Sequence, residues 1–504
     1  MKKTLFLISL ILITFILNEN VYKITSISTT FSTFAVLLGI FILIKSKSVY
    51  SRTIGFIGCS LLTLEVIYSL YFNEPITGNI LDSIIETSDI ELSGMFLTYV
   101  FIFLPSLLIS PALFFLIRKL HIKLDIFTKV TPIFLLIVVM LVTLNSVYKR
   151  KNSSDSIIDD FPTETANTIK DRFPAVVGNI IYLIYSNYSN DKYKENNLAK
   201  TLHHSILGKE KSDNDIVVLI MGESALSLRH SVYGYSKDTS PKANKIFNNH
   251  GCIIDNAHSN SPVTRNSIPM SLSFSTPESD APLFNNKSVI EMANDNGFKT
   301  YWLGAQELRG YHSSKYGYIA LQSNVVSLRH NNDLELVELL KKILHDNEDN
   351  KFIVIHLQGS HLPYINYYDS DKKNNLNMDD YDLTILKTDS IINSVFHILS
   401  DSNKKFTLIY TSDHGEIVNK GHGFEKGREQ YLIPFMYYSN NDKFDCNFVE
   451  KFKNKDGWLS GIMNKFVILH ILGYKIDDSF IDLEKRNDRV LDANNQVIKF
   501  SDIN

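Results

Sequence analysis

Cysteine is scarce: the chain has three in 504 residues. Cys59 lies in an apolar run, so only Cys252 and Cys446 remain for the more polar part, and no disulfide framework can hold that part together. Whether those two pair stays open at this level. The scarcity does not exclude an oxidising compartment, since a large α/β domain can be stable without disulfides. Charge of one sign is also lacking. A net charge of −3 supplies no bulk attraction to nucleic acid, so no nucleic-acid partner is expected. At this length one ordinary domain is excluded.

What is present is unevenly distributed. Residues 1–148 are strongly apolar, and residues 149–504 have the composition of a soluble globular domain. Apolar segments fall roughly at 4–18, 29–45, 53–72, 96–117 and 128–148. A span needs about 20 residues, with a range of about 17–25, so the last three fit and the first two are short. The first, preceded by Lys2 and Lys3, has a signal peptide as its competing reading, but no small-residue cleavage site follows Leu17. Positive charge sets the orientation. Lys2 and Lys3, then Lys45, Lys47 and Arg52, then Arg118, Lys119 and Lys123 mark one side, while the loop at 73–95 is acidic. The N-terminus is therefore expected in the cytoplasm, with residue 149 onward outside after five crossings. Residues 149–210 read as a linker. Its run from Phe173 to Tyr185, with Tyr182, Tyr185 and Tyr188, reads as an interfacial helix or as a packed helix of the following domain.

From residue 211 strand-like runs recur at 215–221, 299–303, 352–357, 406–411 and 433–438, with helical stretches between them. This alternation predicts an α/β domain with a mainly parallel sheet covered on both faces. Ile216 to Ile220 form an unbroken apolar block closed by Gly222, as a buried parallel strand would be, and Glu223 follows directly. A second apolar run ends in Ser412-Asp413-His414-Gly415-Glu416. Ligands of open α/β sheets bind beyond the carboxyl ends of the strands, where neighbouring strands would bring Glu223, Asp413 and His414 together. Such a donor set suits Zn²⁺, with Mn²⁺ as the alternative.

Further candidates follow the same edge. Ser224 is placed to cap a helix opening at the strand end, and Tyr233-Gly234-Tyr235 reads as a turn. Thr264 heads a short helical segment, where a hydroxyl is usually a cap. The same position favours negative charge, so an activated threonine there would be a nucleophile. His356 and His361 follow another strand and could bind phosphate or metal, although each alone is more often structural. Gly421-His422-Gly423 lies in a glycine-rich loop after His414.

These stretches in order resemble one family. They are Met-Gly-Glu-Ser at 221–224, Tyr-Gly-Tyr-Ser-Lys-Asp-Thr-Ser-Pro at 233–241, Thr-Arg-Asn-Ser-Ile-Pro-Met at 264–270, His-Leu-Gln-Gly-Ser-His-Leu-Pro at 356–363 and Ser-Asp-His-Gly-Glu at 412–416. The chain is similar over essentially its whole length to the membrane-bound phosphoethanolamine transferases of the alkaline-phosphatase and sulfatase-like superfamily. The resemblance implies five membrane helices followed by an alkaline-phosphatase-like catalytic domain at 211–504, periplasmic on a bacterial inner membrane. It implies a metal site of Glu223, Thr264, Asp413 and His414, with Thr264 as nucleophile and His361 and His422 at the phosphoryl group or at a second metal. It implies phosphatidylethanolamine as donor and a lipopolysaccharide component, core sugar or lipid A, as acceptor. Lipid A-modifying members carry several disulfides that this chain cannot form, which favours the core. The modifiable Cys or Ser of a C/S-x-P-x-R sulfatase pattern is missing at 264–268. Competing activities are a lipoteichoic-acid-type glycerolphosphate transferase and a metal-dependent phosphodiesterase. The non-enzyme reading is a membrane-anchored binding protein.

Overall fold

The computed structural model describes residues 2–24, 26–78, 80–81, 96–151, 170, 172–173, 177–184, 200–308, 314–330, 332–345, 350–364 and 378–503. The acidic loop beyond Leu81, the polar stretch 152–165, Tyr185 and Tyr188 lie outside these residues. The chain divides into two compact units, Met1–Asn196 and Asn197–Asn504.

In the first unit the apolar segments form helices α1 (Lys2–Asn20), α2 (Ile27–Lys45), α3 (Val49–Phe72), α4 (Phe96–Lys119) and α5 (Ile126–Lys151). All 5 are long and apolar enough to cross a membrane. The first is longer than its apolar core and packs against its neighbour: Asn18 Oδ1 accepts from Thr33 Oγ1 at 2.9 Å, and the Phe6 and Phe41 rings lie 4.4 Å apart. Leu107 and Phe134 are among many apolar side chains left exposed, as lipid-facing helices require. The run beginning at Phe173 is helical over 177–184 and packs within this unit. Tyr182 is fully buried, and Asn179 Nδ2 donates to Glu65 Oε1 at 2.6 Å, while Tyr22 Oη donates to Oε2 at 3.0 Å. These contacts lie within the first unit. The expected linker at 149–210 is not one continuous piece, because Ile206–Lys209 pairs antiparallel with Tyr474–Ile476 as part of the second unit.

The second unit is built on a seven-stranded sheet. Its strands are β1 (Ile216–Gly222), β2 (Cys252–Ile253), β3 (Phe298–Gly304), β4 (Val325–Leu328), β5 (Asn350–His356), β6 (Phe406–Ser412) and β7 (Phe435–Ser439). Their order is β2-β7-β6-β1-β5-β3-β4. The strands from β6 to β4 are parallel, whereas β7 runs antiparallel to β6 and β2 antiparallel to β7. β1 is central and all seven of its residues are buried, which explains its unbroken apolar run. Alternate side chains point to opposite faces. Val217, Leu219 and Met221 join Trp302, Ile268 and Phe466 on one face. Val218 and Ile220 join Leu303, Leu336 and Ile391 on the other. Helices α6 (Thr264–Leu272) and α9 (Met463–Ile471) cover the first face, and α7 (Asp333–Leu344) and α8 (Asp380–Ser400) the second. Cys252 of β2 and Cys446 form a disulfide, a single cross-link where no framework was expected.

Candidate active site

The register of the sheet sets which residues meet. Met221 pairs with His356 on one side and Gly222 with Ser412 on the other, so Glu223 and Asp413 leave adjacent strands at the same level. The backbone holds them there. Asp413 N–H donates to Gly222 O at 3.1 Å, and Asp413 Oδ1 accepts from the N–H groups of Ser224 at 3.1 Å and His414 at 2.7 Å. Ser224 does not cap a helix. It adopts φ 54°, in the left-handed region, and two short 3₁₀ turns follow instead. Its hydroxyl donates to Glu223 Oε1 at 2.8 Å, so the strained residue serves the carboxylate beside it. Gly234, φ 91°, makes the expected turn.

Thr264 is the first residue of α6, but Val263 occupies the N-cap and no side-chain cap bond is made there. The hydroxyl is turned into the site, with Oγ1 donating to Glu223 Oε2 at 3.1 Å and lying 3.2 Å from His414 Nε2. His414 Nδ1 lies 2.8 Å from Gly415 O. A carbonyl only accepts, so Nδ1 carries a proton, and Nε2 is the ring atom turned toward the carboxylates. That nitrogen lies 3.3 Å from Asp413 Oδ2 and 3.4 Å from Glu223 Oε1. Asp413 Oδ2 is buried with no hydrogen-bond partner. Three lone-pair donors thus converge, all within 4.8 Å of one another.

Electrostatics point the same way. Burial, and then the charge of Glu223, push the Asp413 carboxyl well above its usual range. Burial also pushes Glu223 up, but the imidazoles of His414, His361 and His422 and the Gln306 amide outweigh it and hold Glu223 below its usual range. Two carboxylates this close and this buried repel each other, and a divalent cation between them would offset that repulsion. Two carboxylates and one imidazole fit Zn²⁺ by donor chemistry.

The remaining histidines sort differently. His422 lies beside His414, their ring centroids 4.2 Å apart, and His361 is 5.7 Å from His422. Both are partly exposed. His422 Nδ1 is 3.0 Å from Glu416 Oε2, and Tyr364 Oη donates to Glu416 Oε1 at 3.0 Å. Burial pushes the Glu416 carboxyl up to about 8. His361 Nδ1 lies 2.5 Å from Leu362 O. His356 is no part of this group. It ends β5, fully buried between the Trp302 and Tyr316 rings, with neither nitrogen partnered.

The loop carrying His361 is pressed onto β1. Gly359 has φ 58°, and a Cβ there would lie 2.8 Å from Glu223 O. Ser360 N–H donates to that oxygen at 2.9 Å, and the buried Asp333 carboxylate accepts from Gln358 N–H at 2.7 Å and Gly359 N–H at 3.1 Å. Sequence reasoning missed Asp333, Glu416 as the partner of His422, and Gln306. The only signal for Gln306 was its place just after the strand expected at 299–303.

Comparison with known proteins follows this geometry. Residues 215–460 match the sulfatase family. The chain is 29% identical over 330 residues to YhbX of Escherichia coli (strain K12), covering 60% of this chain and 58% of that protein. It is 26% identical over 314 residues to phosphoethanolamine transferase EptA of Helicobacter pylori, covering 55% and 57%, and 25% identical over 269 residues to phosphoethanolamine transferase EptC of Escherichia coli (strain K12), covering 46% of each. The chain therefore spans about half the length of these relatives. Among solved structures, the integral membrane lipooligosaccharide phosphoethanolamine transferase EptA of Neisseria meningitidis gives a TM-score of 0.57 at 16% identity over 88% of this chain and 87% of its own. The periplasmic domain of Escherichia coli EptC in complex with Zn gives 0.52 at 19% identity, over 60% and 98%. These two likenesses establish the fold.

Proposed function

We propose, for a chain that belongs to the sulfatase-like family that includes the phosphoethanolamine transferases, that it moves phosphoethanolamine from phosphatidylethanolamine to a lipopolysaccharide component. One observation carries the reading. A threonine hydroxyl that caps nothing lies 3.1 Å from Glu223 and 3.2 Å from His414, with the unpartnered Asp413 Oδ2 alongside. A hydroxyl held by a cation-binding cluster suits attack on a phosphodiester.

Glu223, Asp413 and His414 would hold Zn²⁺, with Thr264 as the remaining contact. When bound, the ion lowers the pKa of a nearby hydroxyl and neutralises phosphoryl charge. The chain does the rest. Thr264 Oγ1 forms a bond to the donor phosphorus as the bond from phosphorus to the diacylglycerol oxygen breaks, and the threonine proton is passed to that leaving oxygen. A phosphoethanolamine ester on Thr264 remains. An acceptor hydroxyl oxygen then forms the new bond to phosphorus as the Thr264 Oγ1–phosphorus bond breaks, and the acceptor's proton is passed to Thr264 Oγ1, a two-step exchange. His361 and His422, partly exposed beside the cluster, would hold phosphoryl oxygens or protonate the leaving oxygen, with Glu416 orienting His422. Catalysis here is positioning and charge neutralisation. The five apolar helices would bring the site to a bilayer donor, with the N-terminus cytoplasmic and the second unit periplasmic, facing an inner-membrane lipid.

The test is mass spectrometry of envelope glycolipids from cells with and without the chain, together with ethanolamine-labelled and glycerol-labelled donor lipids. An added phosphoethanolamine carrying the ethanolamine label is expected. Transfer of the glycerol label would instead show a glycerolphosphate transferase, and labelled phosphoethanolamine released to water a phosphodiesterase.

A further inference from the structure

Gln306 lies just past β3, at the same sheet edge as the acidic cluster. Its Nε2 donates to Glu223 Oε2 at 2.8 Å and to Leu357 O at 3.0 Å. Both neighbours are acceptors, so the amide nitrogen faces them whichever way the group is drawn. A primary amide has two hydrogens, and both are used. Rotating the side chain would break both bonds together.

The two acceptors sit on different strands. Glu223 follows β1 and Leu357 follows β5, and Leu357 is itself fixed by its N–H to Met221 O at 3.0 Å. Gln306 therefore links the ends of three adjacent strands. Within Glu223 the bonds divide cleanly. Oε1 accepts from Ser224 Oγ at 2.8 Å, while Oε2 accepts from Gln306 and from Thr264 Oγ1 at 3.1 Å.

We propose that Gln306 is the positioning residue that fixes the Glu223 carboxylate toward Thr264 and the cation. The inference rests on reading Glu223 as a metal ligand. Its physical basis is geometric: one amide hydrogen is on Glu223 Oε2 and the other on Leu357 O, so the carboxylate oxygen that faces Thr264 is tied to the ends of two neighbouring strands. Partners of this kind typically change metal affinity or activity about 10–100-fold when removed.

The test uses the full chain in detergent. Gln306→Met keeps length and removes both donors, and Gln306→Asn keeps the amide but shortens its reach. Zn²⁺ affinity is measured by competition with a chromogenic chelator, without donor lipid. Steady-state transfer from phosphatidylethanolamine is measured separately. Gln306→Met is expected to bind Zn²⁺ about 10–100-fold more weakly and to lower kcat by a similar factor, with the donor KM unchanged. Gln306→Asn should fall between Met and wild type, and it decides the matter if the Met variant does not fold. Wild-type Zn²⁺ affinity in the folded variants, or a raised KM alone, would overturn the proposal, the second by making Gln306 a substrate contact. A wild-type chain that binds Zn²⁺ but transfers nothing would defeat the transferase reading and leave the Gln306 measurement interpretable.

Discussion

The buried cluster and the histidine pair sit side by side but are built differently. Glu223, Asp413 and His414 are almost fully buried and held by backbone donors, Ser224 and Gln306. His361 and His422 are partly exposed, each with Nδ1 against a carbonyl or carboxylate oxygen. In the proposed mechanism the buried groups keep a cation and a nucleophile in register, and the partly exposed pair meets the phosphoryl ligand. Preorganised charge in a dry site needs no rearrangement at the moment of reaction.

If that division is correct, substitutions should separate by which side they touch. Thr264→Ala should have the largest effect, a loss of transfer above about 10³-fold, as nucleophile removal gives elsewhere. Because Thr264 caps nothing, the melting temperature should move little. Asp413→Ala and His414→Ala should come next, losing zinc and activity together, read by metal analysis of folded protein. His422→Ala should cost about 10²-fold in rate with zinc retained. Zinc lost equally from His422→Ala would erase the distinction between the two groups. Gly359→Ala should destabilise by about 1–3 kcal/mol in denaturant unfolding, because φ 58° and a contact at 2.8 Å from Glu223 O leave no room for a Cβ.

A separate substitution tests whether burial alone produces such tuning away from the site. Lys465 is buried on α9 with Nζ donating to Ser275 O at 3.1 Å, and burial pushes its pKa down to about 7. The unfolded value is about 10.4, so between about pH 7 and pH 10.4 the unfolded chain binds the extra proton. Stability from this group therefore rises with pH across that window and is lowest below it. Lys465→Met should stabilise most near and below pH 7, with the advantage shrinking toward pH 10. A difference in melting temperature that does not vary with pH would contradict the shift.

Much of this arrangement was legible in the sequence because it rests on pattern. The block 216–220 is uniformly apolar and 406–411 mostly so because their strands are buried on both faces, and Glu223, Asp413 and His414 come just past the ends of these strands. Strand β4 escaped notice because Val325 to Leu328 is short and half-buried at the sheet edge. Ser224 was misjudged because a serine after a strand looks like a cap, and nothing local announces a left-handed residue. Gln306, Asp333 and Glu416 act through hydrogen bonds to residues distant in sequence or on irregular loops, which leave no periodicity. The Cys252–Cys446 pair joins residues separated by 194 positions, beyond the reach of spacing arguments.

The most direct measurement is adduct mapping. The full chain is incubated with phosphatidylethanolamine and no acceptor, then digested and analysed by mass spectrometry. A phosphoethanolamine mass on the peptide containing Thr264, absent from Thr264→Ala, is the predicted result. An adduct on Ser267 instead, or substantial transfer by Thr264→Ala, would contradict the account.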